Sequence, residues 1–335
     1  MKPFELCVVK LSSLGDVLQV AYVIRHLKKN AFNVFITWII DQKCFELLSS
    51  LNIADYIIPF ESAALKKSPF KAMQKILNLN AILKKRKFDC VIDFQGNSKS
   101  ALVTFLCRAR RKIGFDRASV AEFPNLFVTN SKVAINPKDS IVKQYFTLLT
   151  KVFQDLPQLI HHKKPLTTFP KTIMVCCGSN WENKKLSFHQ LEAFLRKIHR
   201  MCGVEFWFVV GSKEDAADAK LLTSELEAKT KIFEKPSWSA WIELMQGVDS
   251  VISSDSCALH LAGFFEVPSF SFFGPSNELV YKPFGNLHSS IQGSCPYGQN
   301  FLKRCKTLRT CSTGACLKNI DPQDLFQKFN EFYQS

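Results

Sequence analysis

The loop Lys10-Leu11-Ser12-Ser13-Leu14-Gly15-Asp16-Val17 carries an apolar strand through small residues and a glycine to an acid at the start of a helix. It has the build of a phosphate-binding turn, yet neither GxGxxG nor a lysine-ended P-loop occurs, which argues against a dehydrogenase or an ATPase. Asp16 has two readings: it favours the N-terminus of its helix electrostatically, or, facing a cleft, it takes a proton from a hydroxyl. Farther on, Lys184 stands in a polar loop, Asp255-Ser256 opens a helix, and Asp215 follows Val209-Val210-Gly211. A lysine and a helix N-terminus both stabilise a phosphorylated group, although on spacing alone Lys184 reads as an exposed lysine. His260, four residues after Ser256, points toward a cleft or sits hydrogen-bonded in the core. Gln95 and Lys99 flank Gly96 at a strand's carboxyl end, where an anionic acceptor would be met; the plainer alternative makes Asp93 a strand-end cap and Lys99 a surface lysine.

These residues need a scaffold of two domains, because 335 residues exceed what one core normally organises. Short apolar runs at Leu6 to Val9, Val34 to Ile40, Tyr56 to Pro59 and Cys90 to Phe94 alternate with amphipathic stretches, and a helix is expected from Ile141 to Leu156. His161-His162-Lys163-Lys164-Pro165 reads as a linker. The rhythm then restarts at Ile173 to Cys177, Phe206 to Val210, Val251 to Ser253 and Ser269 to Phe273, with helices at Phe188 to Arg200, Ala216 to Ala228 and Pro322 to Tyr333. The expected fold is α/β: residues 1–160 and 166–320 form two parallel-sheet domains, and residues 321–335 form a helix able to pack back on the first. Ligands of such sheets bind at the carboxyl ends of the strands.

Charge divides unevenly. Residues 1–165 hold 26 Lys+Arg against 12 Asp+Glu, while the remainder holds 18 against 17. One lobe is therefore expected to meet an anionic partner, unless the lysines are simply a solvated surface. Nucleic acid is not the expected partner, because no base-reading module is present. No run approaches the roughly 18 apolar residues of a membrane span, and no signal peptide is apparent, so a cytoplasmic chain with reduced cysteines is expected. Lys84-Lys85-Arg86-Lys87 would bring it to the anionic inner membrane as a peripheral protein.

Lys-Leu-Ser-Ser-Leu-Gly-Asp-Val resembles the opening motif of the ADP-heptose:lipopolysaccharide heptosyltransferases, glycosyltransferase family 9. Val91-Ile92-Asp93-Phe94-Gln95-Gly96-Asn97-Ser98-Lys99-Ser100 is similar to their second motif. Gly114-Phe115-Asp116, with Glu122 and Leu126-Phe127, is similar to the third. Gly178-Ser179-Asn180-Trp181-Glu182-Asn183-Lys184 resembles the donor loop. Asp255-Ser256, Leu259-His260-Leu261-Ala262, Val267-Pro268 and Phe273-Gly274-Pro275-Ser276 resemble the longest signature, so the likeness runs from residue 6 to about residue 330.

The resemblance implies a GT-B architecture, two Rossmann-like domains facing a cleft, the first binding the acceptor and the second an ADP-sugar. It implies inverting transfer of heptose to the inner core of lipopolysaccharide, with Asp16 as the base. Lys184, Asp215, Asp255, Ser256 and His260 would serve the donor; Ser13, Gly15, Gln95, Lys99 and Glu122 would serve the acceptor. No cofactor is required by any motif, and without an Asp-x-Asp pair in a suitable loop metal dependence stays open. The alternatives are a GT-B enzyme using another nucleotide sugar and a noncatalytic phosphate- or membrane-binding relative.

Three positions depart from the family pattern. Cys176-Cys177-Gly178 stands for His-x-Gly, Cys257 for the glycine of Asp-Ser/Thr-Gly, and Ala121 for an arginine. Cys295, Cys305, Cys311 and Cys316 form a C-x9-C-x5-C-x4-C series that lacks the paired C-x2-C of structural zinc sites, so packing or surface thiols are the simpler expectation.

Overall fold

Apolar runs such as Ile36-Thr37-Trp38-Ile39-Ile40 bury both faces only inside a sheet covered by helices on each side. The computed structural model describes residues 2–31, 33–159, 168–179 and 181–334, apart from the side chains of Lys66 and Lys67. The linker expected at 161–165 and Asn180 of the donor loop lie outside the described residues. The chain divides into two units, Met1–Leu159 and Ile160–Ser335.

In the first unit, β1 (Phe4–Val9), β2 (Val34–Asp41), β3 (Tyr56–Phe60), β4 (Phe88–Asp93), β5 (Ala109–Phe115) and β6 (Ser131–Val133) form an all-parallel sheet in the order β3-β2-β1-β4-β5-β6. The helices are α1 (Leu14–Asn30), α2 (Phe45–Leu51), α3 (Ala64–Lys67), α4 (Pro69–Lys84), α5 (Ser98–Leu106) and α6 (Ile141–Thr150). Val9 lies between Ile39 and Asp93 in register, so the loops leaving β1, β2 and β4 emerge side by side. The strand order reverses between β1 and β4, the switch point where an open sheet leaves room for a ligand.

The second unit repeats the plan with β7 (Thr172–Cys176), β8 (Glu205–Val210), β9 (Thr230–Glu234), β10 (Ser250–Ser254), β11 (Ser269–Phe273) and β12 (His288–Gln292), ordered β12-β11-β10-β7-β8-β9. Its helices are α7 (Phe188–Cys202), α8 (Lys213–Glu225), α9 (Trp238–Gln246), α10 (Cys257–Phe265), α11 (Glu278–Tyr281), α12 (Ala315–Lys318) and α13 (Pro322–Gln334). Here the order reverses between β7 and β10.

One expectation requires correction. The helix from Ile141 ends at Thr150 instead of Leu156: the amides of Val152 and Phe153 both return to the Leu149 carbonyl, and the Phe153 ring turns edge-on to Phe4. The terminal helix α13 packs within the second unit. Leu325, Phe329 and Tyr333 recur every fourth residue and complete the second unit's core, Phe329 lying 5.6 Å from Phe270 and 5.9 Å from Phe194. The Tyr333 hydroxyl donates to Ser250 Oγ on β10.

His288 on β12 is buried, with Nδ1 2.8 Å from Ser269 Oγ. Burial, assisted by Lys282 and His260, pushes its pKa down to about 3. The folded second unit therefore resists a proton that the unfolded chain accepts near pH ~6.5. The associated stability is whole above about pH 6.5 and is lost as pH falls toward 3, by up to about 1.4 kcal/mol per pH unit. Urea midpoints taken at about pH 7.5 and about pH 5 should separate in the wild type and draw together in His288→Gln; an unchanged separation would contradict this assignment.

Candidate active site

In the first unit the loop between β1 and α1 is organised around Asp16. Ser13 is the helix N-cap, and its backbone N–H and hydroxyl donate to one carboxylate oxygen of Asp16 at 3.1 and 2.8 Å. Gly15 precedes Asp16 in the same first turn, and the Ser12–Ser13 peptide is cis. Gln95, from the turn after β4, uses its Oε1 to accept the amides of Leu11 and Ser12, each at 3.2 Å. The residue expected to meet the acceptor thus braces the loop that presents Asp16. Lys99 stands 3.4 Å from Ser62 Oγ, and that hydroxyl donates to Asp41 at the end of β2. Glu122 accepts the backbone N–H of Ser98 at 3.0 Å, and also its hydroxyl, at the start of α5; a carboxylate is favoured there by the helix dipole.

Asp93 takes the structural reading. It is fully buried at the end of β4 and accepts from Gln95 N and Gly96 N at 2.9 Å, Thr104 Oγ1 at 2.9 Å and Asn125 Nδ2 at 2.6 Å. Gly96 has φ +70°, and a β-carbon there would stand 2.9 Å from the Phe115 ring, so the turn admits only glycine comfortably. Asp93→Ala would strand four donors, each costing about 1–3 kcal/mol when left unsatisfied. A loss of roughly 4 kcal/mol or more is expected in urea unfolding; a loss below about 1 kcal/mol would show that the network is not needed.

Sequence reading missed Asp41, Ser62 and the buried Lys10–Tyr145 pair. Lys10 Nζ lies 2.8 Å from Tyr145 Oη and 3.3 Å from the Phe94 carbonyl, and Lys10 is buried. Lys10 was visible as a cation ending an apolar strand, but its partner lies 135 residues away, beyond any local pattern.

In the second unit Lys184, Asp255, His260 and Ser276 converge at the N-terminal end of α10. Lys184 Nζ is 2.5 Å from Asp255 Oδ2, His260 Nε2 is 3.8 Å from the other carboxylate oxygen, and the Ser276 hydroxyl also donates to Asp255. Burial opposes charge on Asp255, but His260 and Lys184 outweigh it and hold the carboxyl well below the usual range. His260 is buried and directed to this carboxylate. Ser256 is the N-cap of α10 without a side-chain cap; it is joined instead to Ser253 Oγ at 3.0 Å. The positive end of α10 is therefore not consumed by its own N-cap side chain, as an anion-binding helix requires.

Asp215 stands apart from that cluster, in the first turn of α8, paired with Lys185 at 3.3 Å. A β-carbon on Gly178 would meet its carboxylate at 2.6 Å, so glycine lets β7's outgoing loop pass directly over Asp215. Lys185 is a further residue that spacing did not single out. Of the departures, Cys176 is buried with its thiol pushed up to about 12 by burial, Cys257 occupies the first position of α10, and Ala121 is exposed.

Cys295, Cys305, Cys311 and Cys316 line one cavity of about 230 Å³ with Asn183 and Tyr297. Among the described residues no three His, Cys, Asp or Glu side chains are arranged to hold a metal ion. Asn183 Nδ2 donates to the carbonyls of Leu308 at 2.6 Å and Cys311 at 3.4 Å, while Ser276 and Arg304 form an antiparallel bridge. The cysteine-bearing segment thus supports both the Lys184 loop and Ser276.

The family model for glycosyltransferase family 9 (heptosyltransferase) matches residues 76–309, more than half of the chain and parts of both units. The chain belongs to this family. As a family 9 protein it is a transferase, and its two sheets are the two Rossmann-like halves of the GT-B architecture. Lipopolysaccharide heptosyltransferase 1 of Campylobacter coli is 26% identical over 361 residues, covering 98% of this chain and 99% of that one. E. coli heptosyltransferase WaaC with ADP has a TM-score of 0.80 at 19% identity, over 98% of this chain and 100% of the other. WaaC with ADP-2-deoxy-2-fluoro heptose gives 0.78 at 19% identity, over 98% and 99%. At these identities the structural likeness establishes the fold, and residue roles rest on the geometry above.

Proposed function

We propose that the chain transfers heptose from ADP-heptose to an anionic, lipid-borne inner-core acceptor of lipopolysaccharide, with inversion at the anomeric carbon. The observation that carries this reading is the Lys184–Asp255–Ser276 cluster before the uncapped N-terminus of α10 in a family 9 chain. A leaving nucleoside diphosphate needs charge stabilisation more than it needs a proton. Lys184 and the first-turn amides of α10 supply it, Asp255 and His260 hold the lysine and donor groups, and Asp215 receives the ribose hydroxyls. On the acceptor side Asp16 takes the proton of the attacking hydroxyl as its oxygen bonds to the anomeric carbon. The bond from that carbon to the diphosphate oxygen breaks, and ADP departs with the electron pair. Ser13 and Gln95 keep the Asp16 loop in position, while Lys99 and Glu122 border the acceptor.

Because this acceptor is anchored in lipid, the protein works at the inner membrane surface. Among the described residues no helix is long and apolar enough to cross a membrane, and the cation-rich first unit suits peripheral contact with anionic headgroups. Calorimetric titration with ADP-heptose, ADP-glucose, UDP-glucose and GDP-mannose tests the donor assignment. ADP-heptose should bind most tightly; tightest binding of a sugar on another nucleotide would replace the assignment with the alternative donor class.

A further inference from the structure

Helix α4 (Pro69–Lys84) buries Leu79 and Leu83 in the same core cluster as Val103 and Cys107. Its opposite face is apolar and open to solvent: Phe70 is 80% exposed, and Met73 and Leu77 are each 57% exposed. With exposed Ala81, these residues follow spacings of three, four and four, a single stripe along the helix. Such a stripe on a water-facing helix marks a surface that is covered in use.

Charge identifies the cover. Lys84 continues the line of the stripe seven residues after Leu77, Lys71 borders it, and Lys85 and Lys87 follow at its end, all exposed. Among the described residues none of these four lysines pairs with a carboxylate, whereas Lys75 is taken by Glu61 at 2.9 Å and Arg86 lies over Tyr56, 3.7 Å from the ring centroid. A second copy of this face would oppose lysine to lysine. An anionic bilayer instead accepts apolar side chains beneath its headgroups and neutralises the bordering cations. Sixteen residues of helix reach about 24 Å, short of the ~30 Å hydrocarbon core, and Leu79 and Leu83 already belong to the protein core, so α4 lies in the plane of the surface.

We propose that α4 is the membrane-docking element, inserting Phe70, Met73 and Leu77 into an anionic lipid surface while Lys71, Lys84, Lys85 and Lys87 engage the headgroups. This deepens the proposed function and rests on its lipid-borne acceptor only for biological purpose; the docking itself is testable without acceptor or donor.

The test is sedimentation of the full chain with phosphatidylcholine vesicles and with mixed phosphatidylcholine–phosphatidylglycerol vesicles. Wild type should bind the anionic vesicles far better. Phe70→Ser/Met73→Ser/Leu77→Ser and Lys71→Glu/Lys84→Glu/Lys85→Glu should each weaken that binding by about tenfold or more, with nucleotide-sugar titrations unchanged to show that both variants remain folded. Binding by the serine variant equal to wild type would overturn insertion. A wild-type dimer that the serine variant abolishes would overturn it also, by assigning the stripe to a second copy. Failure of nucleotide-sugar binding with vesicle binding intact would count against the donor assignment alone.

Discussion

Asp16→Asn should lower kcat for heptosyl transfer by about 10²–10⁴-fold, the usual contribution of a general base, while donor affinity stays at the wild-type value. The substitution is conservative where structure is concerned. Asparagine retains an oxygen for the Ser13 N–H and hydroxyl, which reach the carboxylate at 3.1 and 2.8 Å, so the start of α1 keeps its cap. What it loses is the capacity to take a proton. Asp16→Ala removes this capping-box acceptor as well and should cost an additional ~0.5–2 kcal/mol of stability. Steady-state kinetics with both variants separate the two effects. If Asp16→Asn retained half of the wild-type kcat, Asp16 would be only a helix-capping acid and another residue would have to accept the proton.

Lys184→Ala is the second substitution with a large expected effect, because it removes one partner of a buried pair. Asp255, 7% exposed in the intact pair, would keep His260 at 3.8 Å and the Ser276 hydroxyl but lose its cation. Leaving a buried charge uncompensated typically costs about 3–5 kcal/mol, and the donor phosphates would lose their cation. Lys184→Met/Asp255→Leu removes both charges and should recover most of the stability while leaving donor binding lost. That divergence separates a structural ion pair from a donor site. The pH dependence follows from the depressed Asp255 carboxyl: its contribution is whole above the unfolded value of about 3.9 and disappears only as pH falls through the lower folded value. Acid unfolding of Lys184→Ala should therefore begin at higher pH than that of wild type. Wild-type donor affinity in Lys184→Ala would remove the lysine from the site.

The strands with buried, near-continuous apolar runs were legible in sequence because burial on both faces of a parallel sheet demands such runs. Four strands were not. Ala109–Phe115 carries Arg110, Arg111 and Lys112 through its first half, where the chain is exposed or only partly buried. Ser131–Val133 has three residues, Thr230–Glu234 lies at a sheet edge with two charged members, and His288–Gln292 is another edge strand composed largely of polar residues. Edge and near-edge positions relax the apolar requirement, so periodicity falls silent there. The terminal helix shows a different limit: the stripe at Leu325, Phe329 and Tyr333 announces burial, but the choice between two available cores belongs to tertiary packing.

At the candidate site the sequence disclosed residue types better than their partners. Asp16, Lys184 and Asp255 stand in motifs, so their positions at the ends of β1, β7 and β10 were expected. The Lys184–Asp255 pair spans 71 residues and the Lys10–Tyr145 pair 135, distances that no local spacing rule encodes. Gln95 and Glu122 were read as acceptor contacts, and the fold gives each a bracing task as well, one under the Asp16 loop and one at the start of α5. A residue can serve both, and kinetics of Gln95→Glu against Gln95→Ala would apportion them.

The most direct test of heptosyl transfer is mass spectrometry of a Kdo-lipid A acceptor incubated with the full chain and ADP-heptose. The expected result is one added heptosyl residue in step with ADP release, absent with Asp16→Asn. Release of ADP without a glycosylated product, or an unmodified acceptor alongside intact donor, would contradict the assigned reaction.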